Sequence, residues 1–485
     1  MIIPFPPFEP DKSPYDVNAS ASVVNALPVA NGWGPMPGLT EISAALGSEC
    51  RGAAFVRTSA GTYRIVAGTR TGLYELNTTD YSWTDISGLD APYAVPEQDN
   101  WTMTRFGNTL YIHNITDNIQ AYDIEVGGTV TTAMGSPPKA KYSWVAGDYL
   151  VLGYLDISGT GQASVAWSGV NDAGYWTYGK RGSDIQVLPE GDEVMGGIPE
   201  QGGFAVIQRA GMQFFPFAPA SGFTFTRSVL NPKQGTVAPR SIVSVGPGQF
   251  FYLSEDGFFG GVERRPIGAE RVDRWFLDQI DQTYLSEVQG VADPFEKIIW
   301  WRYRALNGSY YRLGYDWQLD RWCTTDLQVG EMVALATPAI TWDGLDILYA
   351  NIDAVDEPFD ARLFSGGRPT FATFTTDNKL AYFTGPNIAA TIDTAEVEID
   401  GMARSFISGA RVITDATGYT AQIESTPFHG GTAVTSAAAS PNSRTGLVPF
   451  RVDGRLHKVK LSIPDGTTWS IASAVNVNAI RSGEA

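Results

Sequence analysis

Short runs of apolar or alternating residues, separated by tight turns, fill the middle of the chain. One group of four runs reads AAFVRT, TYRIVAGT, LYELN and SWTDI, and the next reads WTMTRF, TLYIHNI, IQAYDI and TVTTAM. Apolar and polar residues that alternate in this way predict half-buried β-strands, and the Gly, Asn and Asp residues between the runs favour turns. Groups of this form begin near residues 53, 101, 141, 193, 241, 287 and 331.

The spacing of these groups indicates how they pack. Successive groups are offset by 48, 40, 52, 48, 46 and 44 residues, and a single four-stranded meander cannot bury both of its faces. Four-stranded units of about 40 to 50 residues are typical of the blades of a β-propeller, in which each sheet covers its neighbours. We therefore expect an all-β fold with a propeller of about six blades (six to seven). A row of β-sandwiches would show similar turn signals, but no linker separates the runs into sets of about seven strands.

The two ends of the chain differ from its middle, the expected propeller of residues 50–376. Residues 1–49 contain eight prolines and little periodicity, which predicts an extended arm. The aromatic residues that would hold this arm against a neighbouring surface are Phe5, Phe8, Tyr15 and Trp33. Residues 377–485 contain longer and less aromatic strands, such as ARSFISGARVI and HKVKLSI. These strands predict a C-terminal β-sandwich domain.

One segment interrupts the strand pattern. Between Val272 and Val288, apolar residues recur at positions 272, 275, 276, 280 and 284, which is helical spacing. We expect a short helix that packs against the propeller, and a helix that docks a partner is the alternative.

Charge and composition narrow the functions that the fold could serve. The chain has 34 basic and 52 acidic residues, and thus a formal net charge of −18. Such a chain repels nucleic acid unless a basic patch intervenes, and the densest basic clusters, Arg264-Arg265 and His457-Lys458-Val459-Lys460, are short. The sequence therefore argues against tight binding of DNA.

The cysteines and the N-terminus indicate the cellular environment. Cys50 and Cys323 are too few for a disulfide framework and lack the spacing of a zinc site, so we expect two buried thiols. The opening MIIPFPPFEP has no basic region and is broken by prolines, which is unlike a secretory signal. No run is apolar enough for a membrane helix. We expect a soluble protein made in a reducing cytoplasm, without membrane insertion.

Most catalytic arrangements are missing from the sequence. The three histidines, His113, His429 and His457, stand apart, and nothing in the sequence brings them together with a plausible nucleophile. The chain has no nucleophile elbow, no zinc-protease helix motif and no phosphate-binding P-loop. We therefore expect no catalytic residues, no cofactor-binding residues, no metal ligands and no cofactor, and we expect that the protein is not an enzyme.

Acidic and aromatic side chains are the remaining candidates for chemistry. A propeller glycosidase places two carboxylates in its central cavity, and the candidates are Asp148, Asp172, Glu193, Asp256 and Asp293. All five lie at expected turns, where acidic residues commonly bond to the backbone instead. Tryptophans that could stack on sugars or bases are Trp83, Trp176, Trp275, Trp300, Trp301 and Trp322. We expect these rings to wedge between sheets.

The order of the parts resembles a known family. The opening PFPPFEPDKSPYDVNASASVVNALPVANGWGPMPG, the strand groups with a connection that reads KQGTVAP, and the terminal β-domain are similar to the tail hub or nozzle proteins of short-tailed bacteriophages. These are also called packaged-DNA stabilisation or tail tubular proteins. The resemblance spans most of the chain but carries no residue-level motif.

The resemblance implies a structural protein of the virion tail that assembles in the host cytoplasm. Its copies would form a ring, usually a homohexamer, that closes the portal channel, retains the packaged DNA and lets it pass on infection. Partners would be portal or adaptor proteins on one side and tail fibres, spikes or a plug on the other, while genomic DNA slides through the lumen without tight binding. The alternatives are a propeller glycoside hydrolase and a carbohydrate-binding adhesion protein.

Overall fold

The computed structural model describes residues 1–246, 248–336, 369–401 and 403–483. Within these ranges the chain forms seven successive groups of antiparallel strands, here called sheets 1 to 7. Each group has four strands, and the first strands begin at residues 53, 102, 140, 194, 243, 289 and 332. These starts lie within two residues of the predicted ones.

The first five sheets follow the chain without exchange of strands. Sheet 1 contains Ala53–Arg57, Tyr63–Gly68, Leu73–Leu76 and Trp83–Asp85, and sheet 2 contains Thr102–Phe106, Thr109–His113, Gln120–Asp123 and Thr131–Thr132. Sheet 3 contains Ala140–Ala146, Tyr149–Leu155, Ser164–Trp167 and Asp184–Val187. Sheet 4 contains Val194–Glu200, Gly203–Gln208, Met212–Pro216 and Ser228–Asn231. Sheet 5 contains Val243–Gly246, Gln249–Ser254, Gly257–Gly260 and Arg265–Pro266.

The last two sheets recruit strands from the chain ends. Sheet 6 contains Gln289–Asp293, Ile298–Arg304, Tyr310–Asp316 and Arg321–Thr325 and continues into the terminal domain. Sheet 7 contains Met332–Ala336, Pro369–Phe374, Leu380–Asn387 and the N-terminal strand Pro37–Glu41. Because its fourth strand comes from the N-terminal segment, sheet 7 could not be completed from the local sequence pattern.

The seven sheets close into a ring. The first strand of sheet 7 packs against the first strand of sheet 1, and most neighbouring sheets make the same contact. Between sheets 4 and 5 the contact runs through a buried apolar cluster that includes Ile198, Ile207, Phe250 and Tyr252. The fold is therefore a β-propeller with seven blades among the described residues, within the range that the sequence predicts.

The predicted limits of the propeller cut through sheet 7. Strands Pro37–Glu41 and Leu380–Asn387 pair with each other, yet both lie outside residues 50–376. The strands that the sequence predicts between residues 341 and 367 lie outside the described residues. Joining the first and last strands of a propeller in one sheet closes the ring with hydrogen bonds between distant parts of the chain.

The C-terminal domain is a β-sandwich, as predicted, and the N-terminal arm belongs to both of its sheets. One sheet contains Ile2–Pro4, Ala26–Val29, Gly32–Pro35, Arg404–Thr414, Val448–Gly454 and Ala472–Gly483. The other extends sheet 6 through Val23–Val24, Ala390–Asp393, Val397–Glu398, Thr420–Thr426, Val434–Thr435 and Leu456–Ile463. The strand Val23–Val24 joins the two bodies because it pairs with Thr324 on one side and Ile392 on the other.

A continuous apolar core spans sheets 5 and 6, the arm and the sandwich. Phe5, Phe8 and Trp33 of the arm are buried, as predicted, whereas Tyr15 is exposed. The predicted helix is confirmed as the α-helix Asp273–Gln279 and the 3-10 helix Gln282–Glu287. Four further 3-10 helices are Gly161–Ala163, Pro189–Gly191, Pro219–Ser221 and Pro239–Ser241. The arm, propeller and sandwich thus share a core.

Candidate functional site

The connections between sheets meet on one face of the propeller. A chain that passes through four antiparallel strands returns to the side from which it started, so every connection between sheets lies on the same face. Residues of these connections line a polar cavity of about 360 Å³, here called the funnel. Glu49 and Arg51 precede sheet 1, Arg240 precedes sheet 5, and Glu331 precedes sheet 7.

Several charged groups of the funnel neutralise one another. Arg240 forms an ion pair with Glu331, which also accepts a hydrogen bond of 3.0 Å from the side-chain amide of Gln289. Arg51 lies 2.9 Å from a carboxylate oxygen of Glu49. These carboxylates are engaged by cations, so they are poor candidates for a free nucleophile and acid.

Two arginines of sheet 6 are held differently. Arg302 and Arg304 lie two residues apart on the strand Ile298–Arg304, so both side chains are on the same face of the sheet. The Arg302 guanidinium carbon lies 4.5 Å from the centre of the Tyr310 ring, and that of Arg304 lies 3.9 Å from the centre of the Tyr284 ring. Burial lowers the pKa of Arg302. Neither residue could be recognised from the sequence, because the strand reads there as an ordinary core strand.

The five predicted carboxylates are not brought together. They belong to four different sheets, and none of them lines the funnel. Asp172 pairs with Arg181 at 3.0 Å, and Glu193 forms an ion pair with Arg209. Asp293 accepts backbone hydrogen bonds within its own turn, from Phe295 at 2.9 Å among others.

The remaining two predicted carboxylates, Asp148 and Asp256, are exposed at hairpin turns. Glycosidases need their two carboxyl groups within roughly 5 to 9.5 Å across a shared cavity. The predicted set provides no such pair in the funnel.

The histidines also lie apart, and two of them are buried. His113 contacts the Ala140 carbonyl oxygen at 2.8 Å and the Ser143 hydroxyl at 2.7 Å. His457 bridges the hydroxyls of Ser405 and Ser425, each at 2.8 Å. Burial lowers the pKa of both His113 and His457 to about 4. Each is a neutral ring that satisfies buried polar groups.

The third histidine lies at the surface. His429 packs edge-on against the Tyr15 ring, with 4.3 Å between ring centres. It also lies 3.4 Å from a carboxylate oxygen of Glu398. The sequence spacing gave no sign of any of these partners, because they come from distant strands.

The tryptophans divide into two groups. Trp300, Trp301 and Trp322 are buried in the shared core, as expected. The ring centres of Trp301 and Trp322 are 5.9 Å apart, and the Trp301 indole donates a 2.9 Å bond to the Ser241 carbonyl oxygen. Trp83, Trp176 and Trp275 are half-buried. These rings support the packing of sheets.

The described residues contain neither a metal-binding cluster nor a membrane-spanning helix. In those ranges no group of three or more His, Cys, Asp or Glu side chains is placed to hold a metal ion. Cys50 and Cys323 are both buried, as expected, and burial raises the pKa of each thiol. In the part of the chain that the structure describes, no helix is both long and apolar enough to span a bilayer.

Several sheet edges among the described residues expose apolar side chains, including one in the propeller and one in the sandwich. The outermost strand of sheet 4, Ser228–Asn231, pairs on its outer side with no strand of the described residues. Val229 is 48% exposed and Leu230 39%, and the loop before them exposes Phe217 and Phe223. We call these four residues the sheet 4 edge. The second is the sandwich edge at Val434–Thr435, where Phe428 and Val434 are exposed.

Comparisons with known proteins find only distant structural similarity. No protein-family model and no curated protein matches the sequence. Among solved structures, BamB from Moraxella catarrhalis matches with 12% identity over 74% of this chain and 92% of that chain, with a TM-score of 0.35. The WD40 domain of Neurospora crassa Pan2 matches with 7% identity over 73% of this chain and 96% of that chain, with a TM-score of 0.39. Such low similarity says nothing about function.

Proposed function

We propose that this chain is a structural subunit of the tail of a short-tailed bacteriophage. Its copies form a ring, a homohexamer by the family resemblance, that acts as the tail nozzle or hub. The ring closes the portal channel, retains the packaged DNA and lets it pass on infection. Portal or adaptor proteins bind on one side of the ring, and fibres, spikes or a plug bind on the other.

The observation that carries this proposal is the presence of two different open sheet edges with apolar side chains. A closed ring with more than two copies needs heterologous contacts, in which one surface of a copy meets a different surface of the next. The sheet 4 edge and the sandwich edge satisfy this requirement. Both offer unpaired backbone groups to which a second chain could add strands.

The rigid connection between the bodies supports the same function. The arm and the sandwich share a core with sheets 5 and 6, so force on the sandwich is transmitted directly to the propeller. A gate that holds DNA under pressure requires such a connection. The net charge of −18 per copy would repel the duplex and keep it sliding.

The enzymatic alternative has less support. The Glu49 and Glu331 carboxylates of the funnel are paired with arginines, and the predicted acidic residues are dispersed. A propeller glycoside hydrolase would release reducing ends from a host polysaccharide, and single carboxylate replacements would abolish that release. We expect no release from the wild-type chain.

Mass photometry of the purified chain tests the proposal. Alone or with the portal–adaptor complex of the same virion, the chain should form a species of about six times 52.4 kDa. The variant Val229→Lys should remove this species, because it places a charge in the apolar contact. Val126→Lys is the matched control, since Val126 is 77% exposed but lies away from both edges. A wild-type chain that stays monomeric with the portal complex present would contradict the proposal.

A further inference from the structure

The funnel contains a buried cation that forms no direct ion pair among the described residues. Arg302 is only 7% exposed, and its Nε has no hydrogen-bond partner. Its Nη1 donates a long bond of 3.4 Å to the Val329 carbonyl oxygen, and no carboxylate of the described residues lies within 4.0 Å of it. A buried guanidinium without a direct ion pair is costly, so a ligand that supplies an anion would recover much of that cost.

Arg304 extends this site toward solvent. Its Nε is also buried without a partner. Because Arg302 and Arg304 are two residues apart on one strand, their attachment points are separated by about 7 Å on the same face. The rings of Tyr310 and Tyr284 pack against the two guanidinium groups. A guanidinium group that is held against a ring suits bidentate contact with an oxyanion.

The local charge selects a singly charged anion. The Glu331 carboxylate is paired with Arg240, and Glu49 is paired with Arg51. Glu287 accepts a 2.8 Å hydrogen bond from Tyr310, and Glu97 is a further carboxylate of the lining. The four carboxylates balance the four arginines of the funnel, Arg51, Arg240, Arg302 and Arg304. A singly charged carboxylate ligand therefore meets less repulsion from Glu287 and Glu331 than a phosphate dianion would.

The other groups of the funnel favour a ligand with hydroxyls. The carboxylates of Glu287 and Glu331 can only accept hydrogen bonds when ionised. A cavity of about 360 Å³ lies near the lower limit of small-molecule sites, so it accommodates one or two sugar units. We propose that the funnel binds an acidic sugar, such as a hexuronic acid unit of a polysaccharide, through its carboxylate on Arg302 and Arg304. This site is independent of the ring contacts.

Titration calorimetry with D-glucuronate, D-glucose and inorganic phosphate tests this assignment on the full chain. We expect glucuronate to bind more tightly than the other two. Arg304→Gln should weaken glucuronate binding about tenfold or more, because one charged hydrogen-bonding partner is lost. The matched control is Arg181→Gln, since Arg181 also stacks on a tyrosine, Tyr175, at 4.6 Å but pairs with Asp172 away from the funnel. That variant should bind like the wild type.

A second arginine variant and the three ligands show whether the funnel binds the acidic sugar through these two arginines. Arg302→Gln should lose binding as well, and if it fails to fold, the partly exposed Arg304→Gln decides alone. No binding of glucuronate, equal binding of glucose, or binding of phosphate only would overturn the assignment. Unchanged affinity in Arg304→Gln would also overturn it. Ring formation measured on Arg304→Gln should be normal, so failure here is distinguishable from failure of the proposed virion function.

Discussion

The outermost strand of sheet 6 is covered by a further strand, whereas that of sheet 4 is not covered by any strand of the described residues. In sheet 6, Arg321–Thr325 is covered by the arm strand Val23–Val24 and continues into the sandwich. In sheet 4, the outer edge of Ser228–Asn231 is free among the described residues, and its apolar side chains are exposed. The corresponding strands of sheets 2 and 5, Thr131–Thr132 and Arg265–Pro266, carry polar, charged or proline residues, which are usual protections for a free edge.

The chain covers one edge itself and leaves another uncovered among the described residues, and we propose that a partner binds there. The covered edge should govern stability and leave assembly unaffected. The open edge should govern assembly and have little effect on stability. Variants at the two edges can therefore separate the two roles.

The largest expected effect on stability is at the covered edge, with Trp33→Ala. The Trp33 ring is fully buried, donates a 3.2 Å hydrogen bond to the Pro6 carbonyl oxygen, and lies 4.7 Å from the Arg321 guanidinium carbon. Truncation of a buried aromatic residue costs about 3 to 5 kcal/mol of unfolding free energy. Urea denaturation followed by tryptophan fluorescence and circular dichroism measures it. A loss below about 1 kcal/mol would show that the arm does not hold the bodies together.

A smaller effect is expected where the arm caps the helix. The Asp11 carboxylate accepts hydrogen bonds from the backbone N–H groups of Arg274 and Trp275, at 2.8 and 2.7 Å. Asp11→Ala should lower the unfolding free energy by about 1 kcal/mol, whereas Asp11→Asn should lose less because the amide oxygen can still accept. Equal losses in both variants would indicate that the capping bonds contribute nothing.

The unfolding free energy should also depend on pH through a carboxyl group of the same region, that of Asp273. Burial, and to a lesser extent Asp11, raises the pKa of Asp273 to about 6. Between about pH 4 and 6 the unfolded carboxyl is ionised while the folded one keeps its proton, so this group destabilises the fold as pH rises through that window.

The variant Asp273→Asn should remove this contribution. The unfolding free energy of the wild type minus that of the variant should fall from pH 4 to pH 6 and then level off. Subtraction cancels the opposite contributions of His113 and His457, whose lowered pKa values favour the folded state as pH rises from about 4 to 6.5. A difference that does not change with pH would refute the raised pKa.

The smallest effect on stability is expected at the open edge. Val229→Lys should change the unfolding free energy by less than about 0.5 kcal/mol, because the side chain is exposed and the substitution leaves no cavity. The same variant should lose the ring in mass photometry. Lost stability with an intact ring would reverse the roles that we assign to the two edges.

Most of the fold could be predicted because its signals are local. Alternating runs and turn residues located the start of every sheet, and helical spacing located Asp273–Gln279. The strand Pro37–Glu41 could not be assigned to sheet 7, because its partner lies more than 300 residues away and leaves no local mark. The predicted limits near residues 49 and 376 exclude two strands of sheet 7 for the same reason.

The candidate site was much less predictable. The sequence suggested acidic residues at turns as candidates. Asp293 instead accepts bonds within its own turn, Asp172 and Glu193 pair with nearby arginines, and Asp148 and Asp256 are exposed. Arg302 and Arg304 stand in the run KIIWWRYR, where the apolar neighbours dominate the pattern. Whether these two arginines can bind an anion depends on the charged groups around them. Several of those groups lie on the connections that precede sheets 1, 5 and 7. Only the folded arrangement brings those connections together.

Single-particle electron microscopy of the chain with its portal complex tests the central claim most directly. Our account expects closed rings in which the sheet 4 edge of each copy contacts the sandwich of the next, around an open lumen wide enough for duplex DNA. Separate monomers, or rings that leave the sheet 4 edge in solvent, would contradict it.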